Sequence, residues 1–375
     1  MSPQVSNKFI ENFSDLEDPR IERHKLYPII EIVFLVVCGN ICGADSWRDY
    51  VRFGEAKLEI LRQRLPFKNG IPSKNTISRV MSQIKPEALK TCFSGWIKSI
   101  YVSFTNDLIA IDGKCIRGSH NEDKKAAHIV NAYSSRSHLV LGQVKVDEKS
   151  NEITAIPKLL DAIDIKGSSV SIDAMGTQKI IAEKIIEKEA DYILALKGNH
   201  ENLNDDVRLF IETEKKKKNH GCLISHTEVD KGHGRIEERT CFVTDEIDWL
   251  DDRNKWKGLK SIAMIESKRT IKGHTSIEHR FYLTSRKPDP EYLNSAIRSH
   301  WSIENNLHWV LDVTMNEDGS RVRTDHAPEN LNMTRHIALN ALQEMKKSIK
   351  GMSIKGLRKL AGWCDKTFEK LIKSF

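Results

Sequence analysis

The chain has 375 residues, a net charge of +7 at pH 7, and 39% hydrophobic and 30% charged residues. Such a length exceeds the roughly 100 to 200 residues of one ordinary core, so we expect two or three substructures, and the composition excludes extensive disorder. Seven scattered cysteines without a CxxC pair exclude a disulfide framework and a zinc ribbon. The most apolar stretch, 29–44, is shorter than the roughly 20 residues that span a bilayer. Together with the lack of a signal-peptide pattern, this predicts a cytoplasmic protein without a membrane partner.

Residues 1–105 are predicted to form an α-helical N-terminal domain, because apolar positions recur at steps of three and four. The best-marked helix follows Pro72 and has Ser73 as its predicted N-cap. Its apolar stripe consists of Ile77, Val80, Met81 and Ile84. This helix is equally consistent with the second helix of a DNA-binding helix-turn-helix and with a helix that only packs in a bundle.

From residue 106 to residue 200, strands and helices alternate in the order strand, hairpin, helix, strand, helix, strand. The first and fourth of these elements end directly at Asp112 and Asp173. In α/β proteins the polar residues at strand ends commonly form the site, so both aspartates are candidates. The alternative for each is a capping or turn residue.

Residues 201–288 are predicted to form a mainly β insertion, and residues 289–345 to return to the core. The returning helix begins at Asp289-Pro290 and continues to about Leu311, with Glu304 in the middle of its apolar face. A buried carboxylate is costly unless it is paired or binds a metal. Glu304 is therefore the third candidate, and a buried ion pair with an arginine is the alternative.

If this helix packs beside the strand ends, Asp112, Asp173 and Glu304 converge as three hard oxygen ligands. Such a set suits Mg²⁺ or Mn²⁺, and two such ions can catalyse phosphodiester chemistry. A zinc site at His300, Glu304 and His308 is a weaker alternative, because residues four apart on a helix can share a metal.

Four segments carry a resemblance to a known family, and they span 111–119, 146–199, 232–237 and 300–313. They contain the strings IDGKCIRGS, IDAMG, ALKGN, GHGRIE and HWSIEN. In these segments the chain resembles the DDE transposases of the ISAs1 group, which include the H-repeat-associated proteins. The likeness extends over nearly the whole chain.

The resemblance implies an α/β fold with an RNase H-like mixed-sheet catalytic core, a β insertion before the last acidic residue, and a preceding helical domain. It implies that Asp112, Asp173 and Glu304 are the catalytic acids and the ligands of two Mg²⁺ or Mn²⁺ ions. The implied reaction is cleavage at the ends of a DNA element, followed by transfer of the freed 3′-OH into target DNA. The implied partners are element ends, target DNA and a second copy of the chain in the DNA complex.

The chain departs from the family pattern around the glutamate. Related insertion-sequence transposases have Tyr, Arg and Lys there, whereas this chain has Ile297, His300 and Leu311. Arg298, Arg321 and Arg323 are candidates to replace the missing phosphate contacts. The full set of predicted DNA contacts is Lys114, Arg117, Lys197, Lys231, His233, Arg235, Arg298, His300, Arg321 and Arg323. For Lys114 and Arg117, the alternative role is to balance the charge of nearby acids.

Residues 346–375 are predicted to form a basic amphipathic tail helix. With Met345 this segment has nine Lys or Arg and two acids, an excess equal to the net charge of the whole chain. DNA backbone binding and simple docking on the protein are both consistent with this pattern. For the whole chain, the two alternatives to a transposase are a hydrolytic metal-dependent nuclease and a DNA-binding protein that has lost transposition.

Overall fold

A helical region precedes a large mixed sheet in the computed structural model, which describes residues 7–22, 25–101, 103–120, 125–147, 150–232, 234–349 and 351–373. The helices of the N-terminal region are α1 (Lys8–Phe13), α2 (Ile29–Cys42), α3 (Trp47–Leu61), α4 (Lys74–Gln83) and α5 (Pro86–Ile100). This confirms the predicted helical N-terminal region.

Helix α4 begins where the sequence predicts, because the Ser73 hydroxyl accepts a hydrogen bond from the Thr76 N–H at 3.3 Å. Its apolar stripe is buried, and the helix packs against α3 and a later helix of the chain. Lys74 and Arg79 lie exposed on its outer face. A buried stripe is common to a bundle helix and to a helix-turn-helix, so the DNA-binding role of α4 stays a prediction.

One nine-stranded sheet forms the centre of the molecule, in the order β3-β2-β1-β4-β5-β9-β8-β7-β6. Its strands are β1 (Leu108–Ile116), β2 (Ala127–Ser134), β3 (Val140–Lys145), β4 (Ser169–Ile172), β5 (Asp191–Leu196), β6 (Ile224–Gly232), β7 (Arg235–Thr244), β8 (Ser261–Ile271) and β9 (His274–Thr284). The helices that follow α5 are α6 (Glu152–Ala162), α7 (Lys179–Glu187), α8 (Glu201–Lys216), α9 (Pro290–His300), α10 (Ala327–Lys346), α11 (Ile354–Trp363) and α12 (Asp365–Ile372).

The core part of the sheet confirms the α/β fold with a mixed sheet. Strands β1, β4 and β5 are parallel neighbours, and the β2–β3 hairpin pairs antiparallel with β1. Helices α6 and α7 connect the parallel strands, while α9 packs against β1 and β4. The alternation of strand, hairpin, helix, strand, helix and strand is the predicted one.

The region predicted as a mainly β insertion contains one long helix and is continuous with the core sheet. It opens with α8, a helix of 16 residues, and its four antiparallel strands extend the core sheet. The junction is the antiparallel pairing of β5 with β9, in which Leu196 lies opposite Phe281 and Leu194 opposite Leu283. These apolar side chains continue the buried face of the core strands, so the insertion and the core share one sheet.

The helix predicted to continue to Leu311 is α-helical only as far as His300. The chain then forms two π-helical segments, Glu304–His308 and Val310–Thr314. A π turn adds a residue to the helical repeat and rotates the following side chains. Leu307 and Leu311 are buried, while Trp301 and Glu304 are exposed, so the predicted shared inward face is wrong for these two residues. Trp301 lies at the turn that ends α9, before both π-helical segments.

Helix α10 joins the N-terminal helices to the sheet. It is buried on nearly every side and packs against α2, α4, α5, α11 and β3. The side-chain amide of Asn340 accepts a hydrogen bond from the Val140 N–H and donates one to the Val140 carbonyl, both at 2.8 Å. It thereby occupies backbone groups on the outer edge of β3. One hydrophobic core runs from Phe9 to Ile372 through these contacts.

The basic tail forms two helices, α11 and α12, that meet at Cys364, so the single tail helix predicted from the sequence is wrong. Their apolar side chains dock on the protein, among them Leu357, Phe368 and Leu371. Docking is the role that this packing supports.

Across the described ranges, no single helix is long and apolar enough to span a membrane. In that part of the chain, one bent pair, Ile29–Cys42 and Trp47–Leu61 with 93° between the helices, meets the length and composition test together. The first member of this pair, α2, is buried within the protein. All seven cysteines are free thiols.

Candidate active site

Asp112, Asp173 and Glu304 line one cleft with a volume of about 640 Å³. Asp173 directly follows β4 as predicted, whereas β1 continues past Asp112 to Ile116, so the predicted end of the first strand at Asp112 is wrong. In the parallel pairing of these strands Ile111 lies beside Ile172, so the next residue of each chain brings the two aspartates together. Glu304 reaches the same cleft from the first π-helical segment. The three acids thus line one cavity, and their role as metal ligands and catalytic acids stays a prediction.

The cleft concentrates negative charge in a partly desolvated place. Burial and the charges of Asp173, Glu152 and Glu304 together raise the pKa of Asp112 to about 7, against a hydrogen bond from the Gly113 N–H that lowers it. Burial and Glu152 also raise the pKa of Asp173. Asp173 accepts a hydrogen bond from the Gly176 N–H at 3.1 Å, so it is a turn residue as well as a cleft residue.

The donor set fits a divalent cation by its chemistry, since three carboxylates are hard oxygen ligands and their mutual repulsion favours a positive ion between them. Within the described ranges, however, no three His, Cys, Asp or Glu side chains are already grouped as a metal site. Glu304 is exposed and has no ion pair in the described part of the chain, so the alternative of a buried pair with an arginine is wrong.

His300 and His308 do not form the alternative zinc site with Glu304. His300 Nδ1 is hydrogen-bonded to the Ser171 hydroxyl at 2.8 Å, and His308 Nδ1 lies 3.6 Å from Asp112 Oδ2. Burial lowers the pKa of each imidazole to about 4. His300 is therefore neutral at physiological pH; it lines the cleft, and its predicted contact with DNA stays a prediction.

Lys114, which was predicted to contact DNA, is buried inside the protein. Its side chain is 6% exposed, and Nζ lies 2.6 Å from both Asp312 Oδ1 and Glu317 Oε2. Glu317 is fully buried and pairs in turn with Arg335 at 3.2 Å. An ammonium group held in this way is not accessible to a DNA phosphate. The structure favours the alternative role, in which Lys114 balances buried acids.

The other predicted DNA contacts divide into two groups. Lys197 follows β5 and lines the cleft, while Arg117, Arg321 and Arg323 lie near Gly118, where Arg323 Nε donates to the Gly118 carbonyl at 3.3 Å. All three of these arginines are exposed.

The second group belongs to the insertion and to α9. Arg235 and Arg298 line a second cavity, whereas Lys231 lies opposite Ile236 in the β6–β7 pairing and therefore points to the other face of the sheet. His233 lies outside the described residues.

A histidine and a glutamate beside Asp112 were missed by the sequence analysis. His128 Nε2 and Glu152 Oε1 are 2.5 Å apart, and Glu152 raises the pKa of His128. Both side chains occupy the space over Gly113, where a Cβ atom would lie 1.9 Å from Glu152 Oε1. The Asp-Gly pair of the IDGKCIRGS string is the signal that could have indicated a close neighbour here.

Comparison with known proteins agrees with this geometry. Residues 10–97 match a family described as DDE_Tnp_1-associated, and residues 103–341 match the transposase DDE domain. The H repeat-associated relative YhhI of Escherichia coli (strain K12) is 41% identical over 89% of this chain and 90% of its own length.

Two further relatives have the word transposase in their names. YncI of Escherichia coli O157:H7 is 42% identical over 94% of this chain and 90% of its own length. YbfQ of Escherichia coli (strain K12) is named an inactive transposase, and it is 40% identical over 21% of this chain and 93% of its own length. Because the DDE domain covers more than half of the sequence and its acids share one cleft, the chain belongs to the DDE transposase family.

Proposed function

We propose that the protein is a transposase of the ISAs1 group that cuts DNA at the ends of its own element and joins the freed 3′-OH to target DNA. The observation that supports this most directly is the meeting of Asp112, Asp173 and Glu304 in one cleft of a DDE domain. The proposed setting is the cytoplasm, at nucleoid DNA, with two copies of the chain in the DNA complex.

Asp112, Asp173 and Glu304 would hold two Mg²⁺ or Mn²⁺ ions. When bound, such ions activate the attacking oxygen and stabilise the leaving oxygen of a phosphodiester. Glu152 adds negative charge beside both aspartates, and its pairing with His128 keeps this carboxylate in a fixed position over Gly113. In this proposal the protein mainly positions the reacting groups and neutralises charge.

Four exposed or cleft-lining cations are proposed to bind DNA phosphates near the cut. Lys197 lies in the cleft itself, and Arg117, Arg321 and Arg323 lie together beyond the end of β1. Lysine acts on a phosphate as a point charge, whereas arginine can donate two parallel hydrogen bonds. These arginines would bind the DNA phosphates that related transposases contact through residues near the glutamate.

The test is strand transfer of a labelled duplex that carries the terminal DNA of the encoding element. The duplex is incubated with plasmid and Mg²⁺ or Mn²⁺, and the natural chain is compared with Asp173→Asn, which keeps an acceptor for the Gly176 N–H. Lys268→Gln is the matched control, because Lys268 is on the face of the insertion that is turned away from Arg269 and Asp112.

Joined product that disappears in Asp173→Asn would support the transposase. Metal-dependent nicks without joined product would instead establish the hydrolytic nuclease. Binding of the duplex without metal-dependent cutting would establish a DNA-binding protein that has lost transposition, an outcome made relevant by the relative that is named inactive.

A further inference from the structure

A second cavity, with a volume of about 810 Å³, lies on the insertion and is lined by five arginines. We call it the arginine groove and define it by Arg235, Arg239, Arg269, Arg280 and Arg298. Three of these five arginines were not among the predicted DNA contacts. Their positions on different strands give no local sequence signal for a shared surface.

Strand register places four of the arginines on one face of the sheet. Arg269 of β8 lies opposite Glu237 of β7 and Ser276 of β9, and alternate residues of each strand point to the same side. Arg235 and Arg239 of β7 and Arg280 of β9 therefore share the face of Arg269. Arg298 approaches this face from α9, which packs on β6, β7 and β1.

The charge of the groove is not balanced from within. Of its lining residues only Glu237 and Glu278 are acidic, against five arginines. Arg280 pairs with Glu278 at 2.8 Å, and Arg298 pairs with Asp230 at 2.7 Å.

Two other arginines lack such a partner. Arg239 is hydrogen-bonded to Asn294 Oδ1 at 3.5 Å, and Arg269 is exposed. Among the residues that the structure describes, neither has a carboxylate within 4 Å. Because burial lowers the pKa of Arg239, a partly desolvated guanidinium there is costly without an anion.

The arginine groove adjoins the catalytic cleft. Both cavities are lined by Glu278, Arg280, Tyr282, Ile297 and Trp301. At this junction the guanidinium of Arg280 lies 4.9 Å from the centre of the Trp301 ring. The distance from β9 to β7 across the sheet is about 10 Å, which corresponds to about three base-pair steps along the axis of a DNA duplex.

We propose that the arginine groove binds the phosphate backbone of the DNA strand that continues from the scissile phosphate in the cleft, with Arg239 and Arg269 as its main contacts. This inference rests on the proposed function. A polyanionic strand supplies the anions that the two unpaired guanidinium groups lack, and a strand bound in the cleft has a continuous path into the groove.

The test compares neighbouring residues on opposite faces of one strand. Arg269→Gln and Lys268→Gln each remove one positive charge, but Lys268 lies opposite Glu238 and Ile277 on the other face. Binding of a fluorescent element-end duplex is measured by anisotropy in EDTA at several salt concentrations. Cleavage is measured in parallel with Mg²⁺.

We expect Arg269→Gln to weaken binding about five- to tenfold and to reduce the salt dependence by about one unit of log affinity per log salt. Lys268→Gln should remain within about twofold of the natural chain. Equal effects of the two variants, or no effect of either, would overturn the inference. If Arg269→Gln does not fold, Arg235→Gln takes its place and is compared with the same control, Lys268→Gln, by the same criteria.

The outcomes separate the two proposals. If the natural chain cuts and joins DNA in an Asp173-dependent way while Arg269→Gln and Arg235→Gln bind normally, only the arginine groove is wrong. If the natural chain neither binds nor cuts the duplex, the proposed function itself is wrong.

Discussion

At the scale of single residues, Asp112 couples the stability of the protein to pH. Its pKa is about 7 in the folded protein because of burial and the neighbouring acids, against an ordinary value of 3.8. Between these two values the folded state holds more protons than the unfolded state, so the free energy of unfolding falls as the pH rises. The loss of stability that comes from ionising the buried Asp112 is absent below about pH 4 and complete above about pH 7.

We therefore expect Asp112→Asn to be more stable than the natural chain at pH 8 in EDTA, by about 2 to 4 kcal/mol. The difference should shrink markedly by pH 5, and Mg²⁺ should raise the melting temperature of the natural chain more than that of the variant. Urea unfolding at the two pH values measures the first effect and thermal unfolding the second. An equal difference at pH 5 and pH 8 would contradict this account of Asp112.

Lys114 and Arg117 are close in sequence but have different environments, and substitutions should separate them. Burial raises the pKa of Glu317, but the charges of Arg335 and Lys114 lower it to about 2. Lys114→Gln removes one of these two cations from the buried carboxylate. We expect this variant to lose about 3 kcal/mol of stability. Arg117→Gln is expected to change stability by less than about 0.5 kcal/mol and to weaken DNA binding instead.

Chemical denaturation and anisotropy with the element-end duplex measure the two properties side by side. If Lys114→Gln folds stably but binds DNA more weakly, Lys114 contacts a DNA phosphate, as the sequence predicted, and does not only balance buried acids.

At the scale of elements, the local sequence pattern predicted the strands of the core sheet better than the position of the site residues. The apolar runs of β1 and β4 before Asp112 and Asp173 were predictable, because such short runs are local signals, although β1 continues past Asp112. Glu304 was a candidate from its place on the predicted helix as well as from the resemblance, but the predicted inward face was wrong for it. A uniform 3.6-residue period does not anticipate the turn at Trp301 that ends α9.

Pairing between distant residues escaped prediction for a different reason. Lys114 and Glu317 are 203 residues apart, and β5 and β9 are separated by the whole insertion. Periodicity within a short window contains no information on such partners. The same limit explains why Glu152 and the arginine groove became visible only in three dimensions.

Helix α10 is predicted to stabilise the edge of the sheet, since Asn340 is hydrogen-bonded to the backbone of β3. Asn340→Leu would leave the Val140 N–H and carbonyl without these partners in a buried place. We expect a loss of about 2 to 4 kcal/mol. Urea unfolding measures the loss, and protection of the Val140 amide in hydrogen exchange locates it. Unchanged protection of that amide would show that the edge of β3 does not depend on Asn340.

At the scale of the whole molecule, the two matched families share one core. The DDE_Tnp_1-associated region and the DDE domain meet through α10, whose faces pack on α2, α4 and α5 as well as on β3. This continuity predicts cooperative unfolding of both regions, although the sequence boundary near residue 105 suggests two separate domains.

We expect tryptophan fluorescence and far-ultraviolet circular dichroism to report one coincident thermal transition for the natural chain. A fragment of residues 103–373 should lack native-like chemical-shift dispersion and monomeric behaviour in size-exclusion chromatography, because it exposes the α10 surface that normally covers α2. Two separate transitions, or a well-folded monomeric fragment, would show that the regions fold independently.

The packing of α2 against α10 also has a consequence for synthesis. The amide of Asn40 donates to the Thr334 hydroxyl at 3.1 Å, and the two residues are 294 positions apart. At roughly 5 to 20 residues per second, the ribosome needs about 15 to 60 seconds to supply the second after the first. During that interval the apolar surface of α2 has no cover from its final partner and is a target for chaperones. A messenger truncated before α10 is therefore expected to yield an aggregating fragment that chaperones and proteases remove, and not a defective competitor for DNA.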